Sequence, residues 1–234
     1  MSATPPGPIL PPGHAIVTGA SSGIGAAITA HLLGLGWQVT GLSRTAPAEA
    51  PPGYQHRSVD LGDRAAIAPA LAGLRPTALV HAAGLMRGGL LGSLDLAAGE
   101  TLWRLHVDVA FQLADLLAPL LPDGGRMVLL GSRAAAGAPG RSQYAASKAA
   151  LVAMARSWAA ELAPRGITVN VVAPAATDTP MLRDPNRAAV LPKLPPIGRY
   201  IRPEEVAALV GFLLGPFGSA ITGQQLVICG GSSL

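Results

Sequence analysis

Short apolar runs that alternate with longer alanine- and leucine-rich stretches limit what this chain can become. Strands are read at His14–Thr18, Trp37–Leu42, Tyr54–Val59, Thr77–His81, Arg126–Leu130, Ile167–Val172 and Leu226–Ile228. Helices are read at about Gly23–Gly34, Asp63–Gly73, Gly99–Leu121, Ser142–Ala163 and Pro203–Leu214. Asp63 suits an N-cap and Pro203 a first helical position. Adjacent parallel strands need a crossover of about a dozen residues or more, which a helix supplies. The alternation therefore predicts an α/β chain with one doubly wound parallel sheet of about seven strands, flanked by helices on both faces. The runs MVLL and ITVNVV have the apolar character of strands covered on both sides.

Composition narrows the class further. Half of the 234 residues are hydrophobic and 13% are charged, so the chain can bury a core and is not of the disordered type. No run of 18 apolar residues is present, and no membrane-spanning helix is expected. Five prolines in residues 1–13 suggest an extended lead-in, and residues 14–234 read as a single domain without repeat or linker. The lead-in lacks the basic and apolar regions of a signal peptide, so a cytoplasmic protein is the expectation. Cys229 is the single cysteine, which excludes an intrachain disulfide and a cysteine-based zinc site. The net charge is only +4 and the arginines are scattered, so neither nucleic acid nor a membrane is an expected partner.

After the first strand comes Thr18-Gly19-Ala20-Ser21-Ser22-Gly23-Ile24-Gly25. Glycines here permit a tight turn and close approach of backbone to a pyrophosphate. The helix that follows offers unpaired N–H groups and a positive dipole end. The second strand ends in Ser43-Arg44, where an acidic residue would hold ribose hydroxyls. An arginine instead accommodates a 2′-phosphate, so NADP(H) is the expected cofactor. Tyr144 and Lys148 stand four apart on a helix, on one face. An ammonium beside a phenol favours phenolate, which predicts a lowered Tyr144 pKa and a group able to move protons near neutral pH. Ser132 ends the fifth strand, at the side where open α/β sheets bind ligands, and its hydroxyl can steady charge on a carbonyl oxygen. Ser142 is the rival for that place.

These motifs resemble those of the classical short-chain dehydrogenase/reductase family, which has a Rossmann-type fold. The resemblance takes in T-G-x-x-x-G-x-G, Tyr-x-x-x-Lys, Arg165-Gly166-Ile167-Thr168-Val169-Asn170, Pro174-Ala175-Ala176-Thr177-Asp178-Thr179-Pro180-Met181 and the C-terminal Ile221-Thr222-Gly223-Gln224, and so covers almost the whole chain. It implies hydride transfer between NAD(P)H and a carbonyl or alcohol carbon. Tyr144 becomes the general acid in reduction, Ser132 orients substrate, and Lys148 binds the nicotinamide ribose and tunes Tyr144. The implied cofactor contacts are Gly19, Ser21, Ser22, Gly23, Ile24, Gly25, Ser43, Arg44, Asp60, Leu61, His81, Ala83, Gly84, Tyr144, Lys148, Pro174, Thr177 and Thr179. Asp60 reads equally as a turn residue before the Asp63 helix. A homo-oligomer, tetramer or dimer, is implied, and residues of about 175–203 form a substrate loop.

The chain departs from the family at several positions. The family's N-N-A-G is His81-Ala82-Ala83-Gly84, and Ala175 replaces the usual glycine. The Asn of the long helix, which in the family helps hold a water behind the lysine, aligns with His106. His106 is either a member of the proton relay or a packing residue. The loop from Ser132 to Tyr144 is one residue short of the usual spacing, and Gly131 takes the strict position. No metal site is expected, because His81, His106 and Asp108 lack ligand spacing and fall on different elements. The pocket positions Leu85, Met86, Arg133, Ala175 and Met181–Tyr200 are mostly apolar and suggest a neutral ketone or aldehyde; surface or capping roles suit Arg133 and Arg87 better than anchoring an acid. A 3-oxoacyl-(acyl-carrier-protein) reductase is the alternative, with Arg165 at one carrier-docking position but Asp123 at the other. A non-catalytic dinucleotide sensor or structural subunit is the alternative of another class.

Overall fold

The computed structural model describes residues 12–47, 49–184, 187 and 192–234. Seven strands form one parallel sheet: β1 (His14–Thr18), β2 (Gln38–Ser43), β3 (Tyr54–Ser58), β4 (Ala78–His81), β5 (Arg126–Leu130), β6 (Thr168–Pro174) and β7 (Gln225–Ile228). Their order is β3-β2-β1-β4-β5-β6-β7. Val17 of β1 stands opposite Gly41 on one side and Val80 on the other. The chain builds outward from β1 to β3 and then crosses to β4, which leaves a crevice at the carboxyl ends of β1 and β4.

Side chains alternate across the sheet, so each face carries its own core. Ile16, Leu79, Leu129 and Val169 point to the face covered by α2 (Arg64–Leu71), α4 (Val109–Leu117) and α5 (Ser142–Leu162). Val17, Val80, Val128 and Val172 point to the other, covered by α1 (Gly23–Gly34) and α6 (Pro203–Leu214). Burying one such side chain contributes about 1.5–3 kcal/mol. The Asp63 carboxylate accepts from the Ala65 N–H at 2.9 Å and caps α2 as the sequence suggests.

One element differs in kind from its reading. The single helix expected over Gly99–Leu121 begins earlier, as α3 (Leu96–Trp103), because Asp95 accepts from the Ala98 N–H at 3.0 Å and caps it. A π-turn spans Arg104–Asp108 before α4 resumes the α-helical pattern. Such turns insert an extra residue into a helix and occur often at functional sites. Among the described residues no helix is long and apolar enough to cross a membrane. Residues 1–11 of the expected lead-in, and 185–186 and 188–191 of the expected substrate loop, lie outside the described residues.

Candidate active site

The carboxyl ends of β4, β5 and β6, with the starts of α1 and α5, enclose a cleft of about 590 Å³. Ser132, Tyr144, Lys148, Pro174, Thr177 and Thr179 line it. The sequence expectation therefore brought together groups from three separate parts of the chain. Ser142 is exposed at the start of α5 and does not line the cleft, so the geometry favours Ser132 over its rival.

The β1–α1 turn holds its shape by close backbone approach. Gly19 has φ +66°, and a Cβ there would meet the Ala83 Cα at 2.9 Å. A Cβ on Gly25 would fall 2.2 Å from the Gly19 carbonyl oxygen. Ser22, the N-cap of α1, makes no side-chain capping bond, and the first turn carries no acidic residue. The leading N–H groups of α1 are thus left for an anion such as a pyrophosphate. Ser21 and Ser22 are exposed beside them, and Ile24 lines the cleft.

At the end of β2 the two expected phosphate ligands differ. Arg44 is exposed, and its guanidinium makes no hydrogen bond or ion pair among the described residues. The Ser43 hydroxyl is buried and spent internally, donating to the Thr45 carbonyl at 3.0 Å and standing 3.1 Å from His56 Nε2. Its donor is therefore not free for a 2′-phosphate. Asp60 accepts from the Gly62 N–H at 2.9 Å, the turn role, with Leu61 buried beside it.

Two buried histidines form the floor of this site, His106 among the residues that line the cleft and His81 behind them. Thr18 Oγ1 accepts from the Ala82 and Ala83 N–H groups, both at 3.0 Å, so its own proton goes to His81 Nδ1 at 3.0 Å. His81 Nε2 then donates to the Leu105 carbonyl, in the π-turn, at 3.2 Å. Burial lowers the His81 pKa to about 3, with the Lys148 charge acting the same way. The side chain of His81 therefore ties β4 to β1 and to the π-turn and does not face the cleft. His106 belongs to that π-turn. The Leu85 N–H donates to its Nε2 at 3.2 Å, which leaves the proton on Nδ1 to donate to Ser147 Oγ at 2.9 Å. Ser147 passes its own proton to the Tyr144 carbonyl at 2.8 Å. Burial, then the charge of Lys148, holds the His106 pKa well below its usual value. Both imidazoles are neutral at pH 7 with both ring nitrogens engaged.

Lys148 Nζ donates to the Leu130 carbonyl at 2.7 Å, and burial lowers its pKa to about 7. Its Nζ lies 6.0 Å from the centre of the Tyr144 ring. The expected fall in the Tyr144 pKa is not found. Burial raises it, and the opposing influences are the Ser132 hydrogen bond and then the charges of Arg187 and Arg141. The reason is that Lys148 is itself desolvated and directed to a backbone carbonyl. A phenol held protonated at neutral pH is the form an acid needs.

Sequence reasoning missed Arg141, which lines the cleft, and it named Arg187, which also lines it, only as part of the pocket segment Met181–Tyr200. Arg141 could have been found, since it stands three residues before Tyr144 at the mouth of the same helix. No motif in the sequence singles out Arg187 within that segment. Arg87, a weak candidate anchor, is bound to Asp184 at 3.1 Å and joins two loops 97 residues apart in sequence. Arg165 is likewise engaged, with Asp123 at 3.1 Å and with the Ala118 and Leu121 carbonyls.

The arrangement has known counterparts. A family model described as Enoyl-(Acyl carrier protein) reductase matches residues 19–233. The chain belongs to the short-chain dehydrogenase/reductase family. It is 36% identical over 239 residues to 3-oxoacyl-(acyl-carrier-protein) reductase FabG of Salmonella typhimurium, covering 93% of this chain and 96% of that one. It is 35% identical to 2,3-dihydro-2,3-dihydroxybenzoate dehydrogenase of Escherichia coli, at the same coverage. Among solved structures, a blue fluorescent protein from a metagenomic library in complex with NADPH superposes with a TM-score of 0.81 at 32% identity, covering 94% of this chain and 98% of its own. The ligand-free aldohexose dehydrogenase of Thermoplasma acidophilum gives a TM-score of 0.86 at 27% identity, covering 95% and 94%. The family makes this chain an oxidoreductase, and its parallel sheet is the family's fold.

Proposed function

We propose that this short-chain dehydrogenase/reductase reduces a carbonyl compound with NADPH, using Tyr144 as the general acid. The observation that carries the reading is the convergence of Ser132, Tyr144 and Lys148 on one cleft, beside a glycine turn shaped for a pyrophosphate. The turn fits the cofactor's phosphates, because the start of α1 carries no side-chain cap and no acidic residue, while Cβ atoms at Gly19 and Gly25 would collide with the Ala83 and Gly19 backbone that shapes the turn. Arg44, exposed at the end of β2 with no guanidinium partner among the described residues, supplies the preference for a 2′-phosphate. When bound, the nicotinamide supplies the hydride. Ser132 and Tyr144 hydrogen-bond the substrate oxygen, and Tyr144 delivers its phenolic proton to that oxygen. Lys148 Nζ holds the ribose and offers a proton source next to Tyr144. His106 positions the start of α5 through Ser147 and takes no proton. A homo-oligomer belongs to this reading too: Trp103 and Phe111 are exposed on α3 and α4, and Phe111 packs edge-on against Trp158 of α5 at 5.7 Å.

The curated relatives favour a second reading, a 3-oxoacyl-(acyl-carrier-protein) reductase. Against it, the carrier-docking candidate Arg165 is paired with Asp123, which occupies the other docking position. Tyr144→Phe separates acid catalysis from binding. The expected result is a fall in kcat of about 10²–10⁴-fold, with NADPH affinity kept. An unchanged kcat overturns the acid role.

A further inference from the structure

The cleft is lined by Arg133, Arg141, Arg187 and Lys193 as well as Lys148, and no aspartate or glutamate lines it among the described residues. Six arginines outside the cleft, Arg64, Arg87, Arg165, Arg183, Arg199 and Arg202, each contact a carboxylate. Arg133 and Arg141 take part in no ion pair among the described residues. The Nε atoms of Arg141 and Arg187 are buried without a hydrogen-bond partner among the described residues, as are those of Arg57 and Arg126 outside the cleft, and Arg187 Nη1 donates to the Met181 carbonyl at 3.2 Å. A buried donor left unpaired is costly, and like charges gathered in one cleft repel. Arg141 feels both Arg187 and Arg133, and both Arg141 and Arg187 act on the Tyr144 phenol. These cations therefore stand beside the proton donor, not at the β1–α1 turn or at Arg44. A guanidinium presents a planar fork of donors that matches a carboxylate or phosphate.

We propose that the substrate carries an oxyanion group, a carboxylate or a phosphate, which Arg141 and Arg187 bind beside Tyr144, with Arg133 and Lys193 adding positive charge around it. This rests on the carbonyl-reductase reading and replaces the sequence expectation of a neutral ketone or aldehyde.

The test uses matched substrates with the NADPH-saturated protein. One arm compares 2-, 3- and 4-oxo acids with their methyl esters. The other compares a 3-oxoacyl phosphopantetheine thioester with its unphosphorylated pantetheine counterpart. The expected result is a kcat/KM at least about tenfold higher for the charged member of one arm, carried mainly in KM. The arm that shows it identifies carboxylate or phosphate. The preference should shrink in Arg141→Gln and Arg187→Gln. It should also shrink for the wild type between low and high salt, a readout independent of any variant's folding. Charged and neutral members reduced equally well in every pair would overturn the proposal and leave the reductase standing. If no compound turns over, calorimetric titration of the NADPH-loaded protein with the same acids and phosphates decides. Saturable, salt-sensitive binding lost in Arg141→Gln sustains the anion site while the reductase reading fails, and no binding overturns the site.

Discussion

The two ends of the cleft are built differently. The β1–α1 turn is made of backbone, with glycines at Gly19, Gly23 and Gly25 and a helix start free of side-chain caps. The catalytic end is made of side chains delivered by β4, β5, α5 and the loop after β6, and it rests on two buried histidines from separate elements. A backbone site is specified by a few adjacent residues. A side-chain site is specified by contacts such as Thr18 with His81, 63 residues apart, and His106 with Ser147, 41 apart. The first is strict but simple, while the second depends on every neighbour being satisfied.

Four experiments press on that difference. Lys148→Met should have the largest effect, because Lys148 is proposed to serve both the ribose and Tyr144: kcat/KM should fall about 10³-fold, close to 4 kcal/mol. A loss confined to NADPH affinity, with kcat intact, would place Lys148 in the binding end alone. His106→Ala removes a side chain with both nitrogens engaged and no exposure. Leaving the Leu85 N–H and Ser147 unpaired should destabilise the fold by about 3 kcal/mol, a fall in Tm near 6–12 °C for a chain of this size. The shape of the pH–rate profile should stay the same. A changed profile with an unchanged Tm would return His106 to a proton relay.

Acid should expose the histidine floor. His81 has a folded pKa of about 3 against 6.5 when unfolded, so the unfolded chain binds the extra proton between those values. Stability is therefore full above pH 6.5 and falls as pH drops toward 3. His106, lowered in the same direction, adds to the slope. Thermal melts from pH 7 to pH 5 should show a steep loss, on the order of 1–2 kcal/mol, and His81→Asn should flatten it. An equal slope in that variant would remove His81 from the account. The smallest effect belongs to the far end of the cofactor site. Arg44→Asp should cost about tenfold in NADPH affinity relative to NADH, near 1.4 kcal/mol, and an unchanged ratio would show that Arg44 touches no phosphate.

The same contrast explains how much the sequence revealed. The glycine turn, Tyr144 with Lys148, and Ser132 were legible because spacing along one strand end or one helix face encodes them. The single parallel sheet with helices on both faces followed from the alternation of strands and helices. The π-turn was not legible, since the apolar pattern of Gly99–Leu121 continues through the extra residue. Ser43 looked like a phosphate ligand because its use by Thr45 and His56 is a matter of three dimensions. Arg141 was hidden for the same reason, and Arg133 was read as a surface or capping residue: an unpaired guanidinium is recognised only when its surroundings are known.

The central claim is hydride transfer from NADPH to a carbonyl carbon. The most direct measurement incubates the wild-type protein with NADPH deuterated at nicotinamide C4 and a panel of carbonyl compounds, and analyses the products by mass spectrometry. The account predicts loss of NADPH absorbance together with an alcohol carrying deuterium at the former carbonyl carbon. Tight NADPH binding with no labelled alcohol from any member of the panel would contradict it and leave a dinucleotide sensor in its place.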